Sequence, residues 1–134
     1  MIAATTLQLV LVTPETTLLD EPVRSLQFPL YDGQMGVLPG RAPLVGRLGA
    51  GALKFEPTAG GTQEYFIDGG FVQIKGSVVT LLTNHAIPVE QIDLASAETA
   101  LASALAQVAT SSEALAAKHR AVERARRMIA LRRH

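Results

Sequence analysis

The residues able to do chemistry in this chain are few and scattered. There are three histidines, His85, His119 and His134, and no cysteine. No pair of histidines has H-x-x-x-H or H-E-x-x-H spacing, and without thiols there is no Cys-based zinc site, disulfide or thiol nucleophile. His119 reads as a solvated or interface residue and His85 as a structural one. The glycine-rich stretch 46–51 lacks the Lys-Ser/Thr of a phosphate-binding loop and the G-x-G-x-x-G spacing. No G-x-S-x-G elbow occurs, and no two carboxylates form a nameable acid/base pair. The sequence therefore reads as that of a non-catalytic protein with no metal and no cofactor.

Charge is more informative. The 134 residues carry 12 Lys+Arg and 12 Asp+Glu, a formal net charge of zero. That neutrality hides a segregation. Residues 1–109 hold 5 basic and 10 acidic side chains, whereas residues 110–134 hold 7 basic and 2 acidic ones. The basic set is Lys118, Arg120, Arg124, Arg126, Arg127, Arg132 and Arg133. Only Glu123 lies close by at helical spacing, so like charges repel and an acidic partner would relieve them. Nucleic acid is disfavoured because the region has no aromatic residue for stacking and no glycine-rich arm. Anionic lipid or an acidic protein segment remains.

These groups have to be positioned by two kinds of segment. Residues 1–88 contain all 7 Pro, all 11 Gly and all 6 aromatic residues; beyond Pro88 there is none of these and Ala dominates. This shift marks a boundary between a domain at 1–87 and a second at 88–134. In the first, Leu26, Phe28 and Leu30 alternate with Ser25, Gln27 and Pro29, and Val72 and Ile74 with Gln73 and Lys75, the period of strands with one apolar face. Residues 6–12 and 78–82 are more continuously apolar and suggest burial on both faces. Turn signals stand at Asp32-Gly33, Pro39-Gly40, Gly60-Gly61, Gly69-Gly70 and Gly76-Ser77. Short strands at this spacing predict an antiparallel β-sandwich or barrel.

The second domain reads as an antiparallel pair of helices. Glu90 and Asp93 favour the positive N-terminal end of the first helix, which Pro88 precedes, and Leu94, Leu101, Leu105 and Val108 form its apolar stripe. Ser111 or Ser112 is the expected N-cap of the second helix, along which Leu115, Val122 and Ile129 recur every seven residues. Ala fills 13 positions between residues 95 and 130. Alanine favours the helix itself, but buried at ~25 cal/mol per Å² it contributes far less than the ~1.5–3 kcal/mol of a buried leucine. The pair is expected to be helical and weakly docked. No apolar run approaches the ~20 residues of a membrane span. The first residues lack the basic or Arg-rich pattern of a signal or transit peptide.

One stretch is specific enough to carry a resemblance. Asp32-Gly33-Gln34-Met35-Gly36-Val37-Leu38-Pro39-Gly40-Arg41-Ala42-Pro43-Leu44 constrains the backbone at several Gly and Pro positions and reads generically as a rigid exposed loop. It resembles the D-G-x-x-G-(V/I)-L-P-G-H-A-P-L signature of the epsilon subunit of F-type ATP synthases. Leu11-Val12-Thr13-Pro14-Glu15, Asp68-Gly69-Gly70-Phe71-Val72 and Ile92-Asp93 resemble further pieces of that family in the expected order. The resemblance spans the whole chain. It implies a sandwich of about ten strands followed by a helical hairpin. It also implies a non-catalytic central-stalk subunit that binds gamma and the c-ring and couples ion-driven rotation to ATP synthesis. The loop contact with the c-ring or gamma is then expected at Asp32, Gln34, Met35, Gly36, Val37, Leu38, Pro39, Gly40 and Arg41. The seven cations from Lys118 to Arg133 are expected to meet the beta subunit, within the alpha–beta catalytic sector, when the hairpin extends and inhibits ATP hydrolysis. The implied location is peripheral, on the cytoplasmic face of the bacterial plasma membrane and attached only through the complex.

Two positions depart from the family pattern. Arg41 stands where the signature has His, exchanging a titratable group for a permanently charged one. Bacterial relatives that bind ATP in the hairpin carry I-D-x-x-R-A; here Ser96 replaces the Arg. Ile92, Asp93 and Ala97 are then a remnant of that motif, and weak or absent ATP binding is expected. The competing reading is a free-standing β-sandwich adaptor whose basic helix binds nucleic acid or anionic lipid.

Overall fold

The computed structural model describes residues 6–31, 33–37 and 44–133, the last by its backbone only. The chain divides into two compact units, Met1–Pro88 and Val89–His134.

Among its described residues the first unit holds seven strands: β1 Leu7–Val12, β2 Thr17–Leu30, β3 Gly33–Val37, β4 Leu44–Pro57, β5 Gln63–Lys75, β6 Val78–Leu82 and β7 Ala86–Pro88. Strand β1 pairs antiparallel with β2 and parallel with β6. Strand β6 pairs with β5, β5 with β4 and β4 with β2, all antiparallel. The pairings therefore close on themselves, which removes most exposed strand edges. Strand β3 is added to β2 and β7 to β5.

The seven strands among the described residues are roughly consistent with the expected ten, and several of them are long. Strands β2, β4 and β5 are 14, 14 and 13 residues long and change partners along their length. In β2 the register against β4 shifts between Val23 and Ser25 and again between Gln27 and Leu30. Such irregularities bend a strand without ending it. Gly69-Gly70 is likewise not a turn: both residues lie inside β5, with φ of +73° and +113°. The same freedom that suits glycine to a hairpin turn lets it carry a bend within a strand. Gly60-Gly61 and Gly76-Ser77 do lie in turns.

The core follows the two-residue period of a strand. Leu7, Leu9 and Leu11 of β1 are buried among Val23, Leu26, Phe28, Leu53, Phe55, Ile67, Val72, Ile74, Val79 and Leu81. Burial on both faces, expected for residues 6–12 and 78–82, does not occur. Gln8, Val10 and Val12 are half-buried, and Val78 and Leu82 are exposed. Pro29, expected on the polar side of its strand, is buried where β2 shifts register.

The second unit begins with a 3-10 turn, Val89–Gln91, followed by α1 Leu94–Ala106 and α2 Ser112–Arg133. Asp93 caps α1, and Ser111 caps α2 by accepting the Ala114 N–H at 3.0 Å. The two helices pack on each other. Their buried positions are Ala97, Ala104, Val122 and Ala125, with Leu94, Leu101 and Ile129 half-buried. Leu105, Val108 and Leu115, expected in the apolar stripes, are exposed. Small side chains occupy the buried positions and the larger ones lie at the margins.

Candidate functional site

Of the sequence-predicted loop 32–41, the described part is a strand. Gly33–Val37 forms β3 and pairs with β2 in the register Leu30↔Gly33, Phe28↔Met35 and Leu26↔Val37. Val37 is buried and Met35 half-buried, while Gly33, Gln34 and Gly36 are exposed. The expected exposed loop is thus an edge strand over 33–37, because Met35 and Val37 have a core to enter. Among the described residues β3 has no partner on its other side. Asp32, Leu38, Pro39, Gly40 and Arg41 lie outside the described residues.

Just before this segment, Tyr31 is 72% exposed and the Arg47 guanidinium carbon sits 4.7 Å from its ring centroid. The Tyr31 N–H donates to the Arg47 carbonyl at 2.8 Å. A cation over an aromatic face is held electrostatically even when exposed. Both ends of the pair are therefore fixed at the surface.

Arg47 leads into an apolar face. In register across three strands, Arg47 of β4 pairs with Phe71 of β5, and Phe71 with Leu82 of β6. Side chains at i and i+2 share a face, so Val45, Phe71, Val78 and Leu82 all point away from the core. Val45 is 75% exposed, Phe71 59% and Leu82 47%. Arg47, Gly70, Phe71, Leu82 and Asn84 line a shallow depression there. Gln73 and Thr80 lie between these apolar residues on the same face, with Val45 opposite Gln73 and Val78 opposite Lys75; exposed apolar side chains set among polar ones suit an interaction surface. The sequence signal was available: Phe71 stands on the Gln73 and Lys75 side of β5, where a solvated face would carry a polar residue.

This face is held by the Asp68-Gly69-Gly70-Phe71 motif. Thr83, a buried polar residue, accepts the Asp68 N–H at 3.3 Å and donates to the His85 carbonyl at 3.2 Å. His85 thus acts here through its backbone.

The remnant Ile92, Asp93 and Ala97 gathers at the entry to α1. Asp93 accepts the Ala95 N–H at 3.1 Å on one carboxylate oxygen and the Ser96 hydroxyl at 2.7 Å on the other. The Ser96 hydroxyl, followed by the Ser96 N–H, holds the Asp93 carboxyl below the usual carboxylate range. Ile92 and Ala97 are buried. Both Asp93 oxygens are engaged within the cap, and the residue at the family's Arg position is Ser96. The three remnant residues serve capping and packing here.

On α2, Glu123 lies 4.0 Å from both Arg126 and Arg127, with all three side chains more than half exposed. Such pairs contribute about 0–1 kcal/mol. Arg120 is exposed, and Lys118 and Arg124 are half-buried. Arg132 donates its Nε–H to the Ile92 carbonyl at 3.1 Å, a contact that spacing did not indicate. The Arg133 side chain lies outside the described residues. Among the described residues, no three His, Asp or Glu side chains converge as a metal site would require.

Residues 6–89 match the family model of the ATP synthase delta/epsilon chain β-sandwich domain. The ATP synthase epsilon chain of Rhodopirellula baltica is 45% identical over 117 residues, covering 87% of this chain and 91% of the relative. That of Granulibacter bethesdensis is 34% identical over 128 residues, covering 92% and 95%. A chain in the Euglena gracilis mitochondrial ATP synthase, in a structure comprising OSCP, F1 and the c-ring, superposes with a TM-score of 0.87 at 28% identity. The match covers 97% of this chain and 83% of that one. The closed strand unit, the capped helical pair that follows it and these similarities along most of its length together place this chain in the ATP synthase epsilon-chain family.

Proposed function

We propose that this chain is a central-stalk rotor subunit that binds gamma and the c-ring and couples ion-driven rotation to ATP synthesis. The observation that carries the reading is the outward cross-strand row Arg47, Phe71 and Leu82 of β4, β5 and β6, with exposed Val45 two residues from Arg47 on the same face. An apolar centre with an aromatic and an arginine anchor suits a persistent protein interface. This face is assigned to gamma. The closed strand unit supplies the stiffness a torque-bearing part needs. The edge strand β3 and the rest of residues 32–41 are assigned to the c-ring.

The cationic helix is assigned an inhibitory role. Lys118, Arg120, Arg124, Arg126, Arg127, Arg132 and Arg133 meet an acidic segment of the beta subunit when the hairpin extends into the alpha–beta sector. The subunit then works peripherally on the cytoplasmic face of the bacterial plasma membrane, without bound ATP. The test is co-purification of the full chain with gamma and the c-ring, followed by ATP turnover of the assembly carrying Arg120→Gln, Arg126→Gln and Arg127→Gln. Retained assembly with faster hydrolysis supports both assignments. Unchanged hydrolysis removes the inhibitory role. Failure to assemble, with salt-sensitive binding to DNA or anionic vesicles instead, favours the free-standing adaptor.

A further inference from the structure

The helical unit has two ends. At one, residues 107–111 join α1 to α2. At the other, the last turn of α2 returns to the entry of α1, and there Arg132 donates its Nε–H to the Ile92 carbonyl at 3.1 Å across forty residues of sequence. Three features make this more than a surface contact. Ile92 is 3% exposed, so its carbonyl is set in a largely dry place. That carbonyl precedes the helix: the first acceptor of α1 is Asp93, whose carbonyl receives the Ala97 N–H at 3.0 Å. An external donor is therefore needed, and Arg132 is that donor. Its guanidinium is a directional cationic donor, so the bond is charge-assisted.

The neighbouring carboxylate does not compete for it. Asp93 receives the Ala95 N–H and the Ser96 hydroxyl, one on each oxygen. Between the two ends, the buried helix positions are Ala97, Ala104, Val122 and Ala125, which remove little apolar area from water. With mostly small residues buried between the helices, a directional bond at the open end adds to the packing that holds them together.

We infer that Arg132 is a clasp that holds the helical hairpin compact through the Ile92 carbonyl, without nucleotide. While clasped, Arg132 has its Nε–H engaged although the residue stays exposed; separation of α2 from α1 frees that donor for an acidic partner. The same side chain thus opposes extension and strengthens the extended state's contact. This second consequence rests on the proposed role of the cationic helix, whereas the clasp itself does not.

The test is amide hydrogen exchange, read by mass spectrometry, on the free full-length chain. It compares the wild type with Arg132→Met, which keeps the hydrocarbon stem without the donor, Arg132→Lys, which restores a charged donor, and Arg126→Met, which removes a cation elsewhere on α2. The expected result is about fivefold or greater acceleration for Arg132→Met over residues 89–97 and the last turns of α2, local opening governing exchange there. Arg132→Lys should recover part of the protection, and Arg126→Met should stay near the wild-type rate. Amides of β4 and β5 should be unchanged, which shows that the variants fold. Excess MgATP should leave every rate unchanged. Wild-type rates in Arg132→Met, an equal effect from Arg126→Met, or slowed wild-type exchange on adding MgATP would each overturn the inference. Because no gamma or catalytic subunit is present, a negative result here leaves the rotor assignment standing.

Discussion

The carbonyl of Leu82 occupies the space that a side chain on Gly70 would need. Gly70 also has φ of +113°, a conformation that L side chains rarely adopt. The obstacle is backbone, so it cannot rotate aside, and β5 and β6 approach here because nothing larger than hydrogen stands between them. Gly70→Ala is expected to cost at least about 2 kcal/mol of strand-unit stability. Gly76→Ala, with φ of +63° and open space around it, should cost about 1 kcal/mol from conformation alone. Chemical denaturation followed by strand amide signals compares the two, and equal losses would count against the close approach.

Burial separates two further substitutions. Phe28 is fully buried in the strand core, whereas Leu115 is 46% exposed on α2. Phe28→Ala should lower stability by about 3–5 kcal/mol. Leu115→Ala should change it by no more than about 0.5 kcal/mol. A large loss at Leu115, measured by helical circular dichroism on melting, would mean that it belongs to the helix–helix contact.

The α1 cap makes a pH prediction. The Ser96 hydroxyl and then the Ser96 N–H depress the Asp93 carboxyl in the folded state. Its contribution to folding is therefore fully present above the unfolded aspartate value of about 3.9 and is lost as pH falls through the lower folded value. Ser96→Ala should move the Asp93 titration midpoint upward toward the ordinary value. Asp93→Asn, which keeps a capping acceptor but does not titrate, should flatten the acid dependence of α1 protection. Carbon NMR of the Asp93 carboxyl and hydrogen exchange of α1 provide the readouts. An unmoved midpoint in Ser96→Ala would refute the stated cause.

These results show which levels of structure the sequence carried. The two-unit composition and the alternation around Val72 and Ile74 were legible because they depend on local period. The first helix's acidic N-terminus at Asp93 and a serine cap at 111 or 112 were legible because capping is decided within four residues; Ser111 is the one that caps. Gly69-Gly70 misled, since a positive φ serves a turn and a strand irregularity alike. Leu105 and Val108 do not join the contact: Val108 lies beyond the end of α1 at Ala106, and the buried positions belong to Ala97 and Ala104. The Arg132–Ile92 bond was out of reach, as nothing in spacing relates two residues forty apart. The Phe71 face was partly legible, from an aromatic residue on the otherwise polar side of a strand.

The central claim, that this strand unit is seated on gamma through the Val45, Phe71 and Leu82 face, is tested most directly by affinity. The measurement is binding of the full-length chain to purified gamma, by interferometry, for the wild type and for Phe71→Glu combined with Leu82→Glu. Both side chains are exposed, so the thermal midpoint of the strand unit should hold. The account predicts that affinity falls by about 100-fold or more, as expected for loss of anchor residues at the centre of an interface. Unchanged affinity in a folded double variant would contradict it.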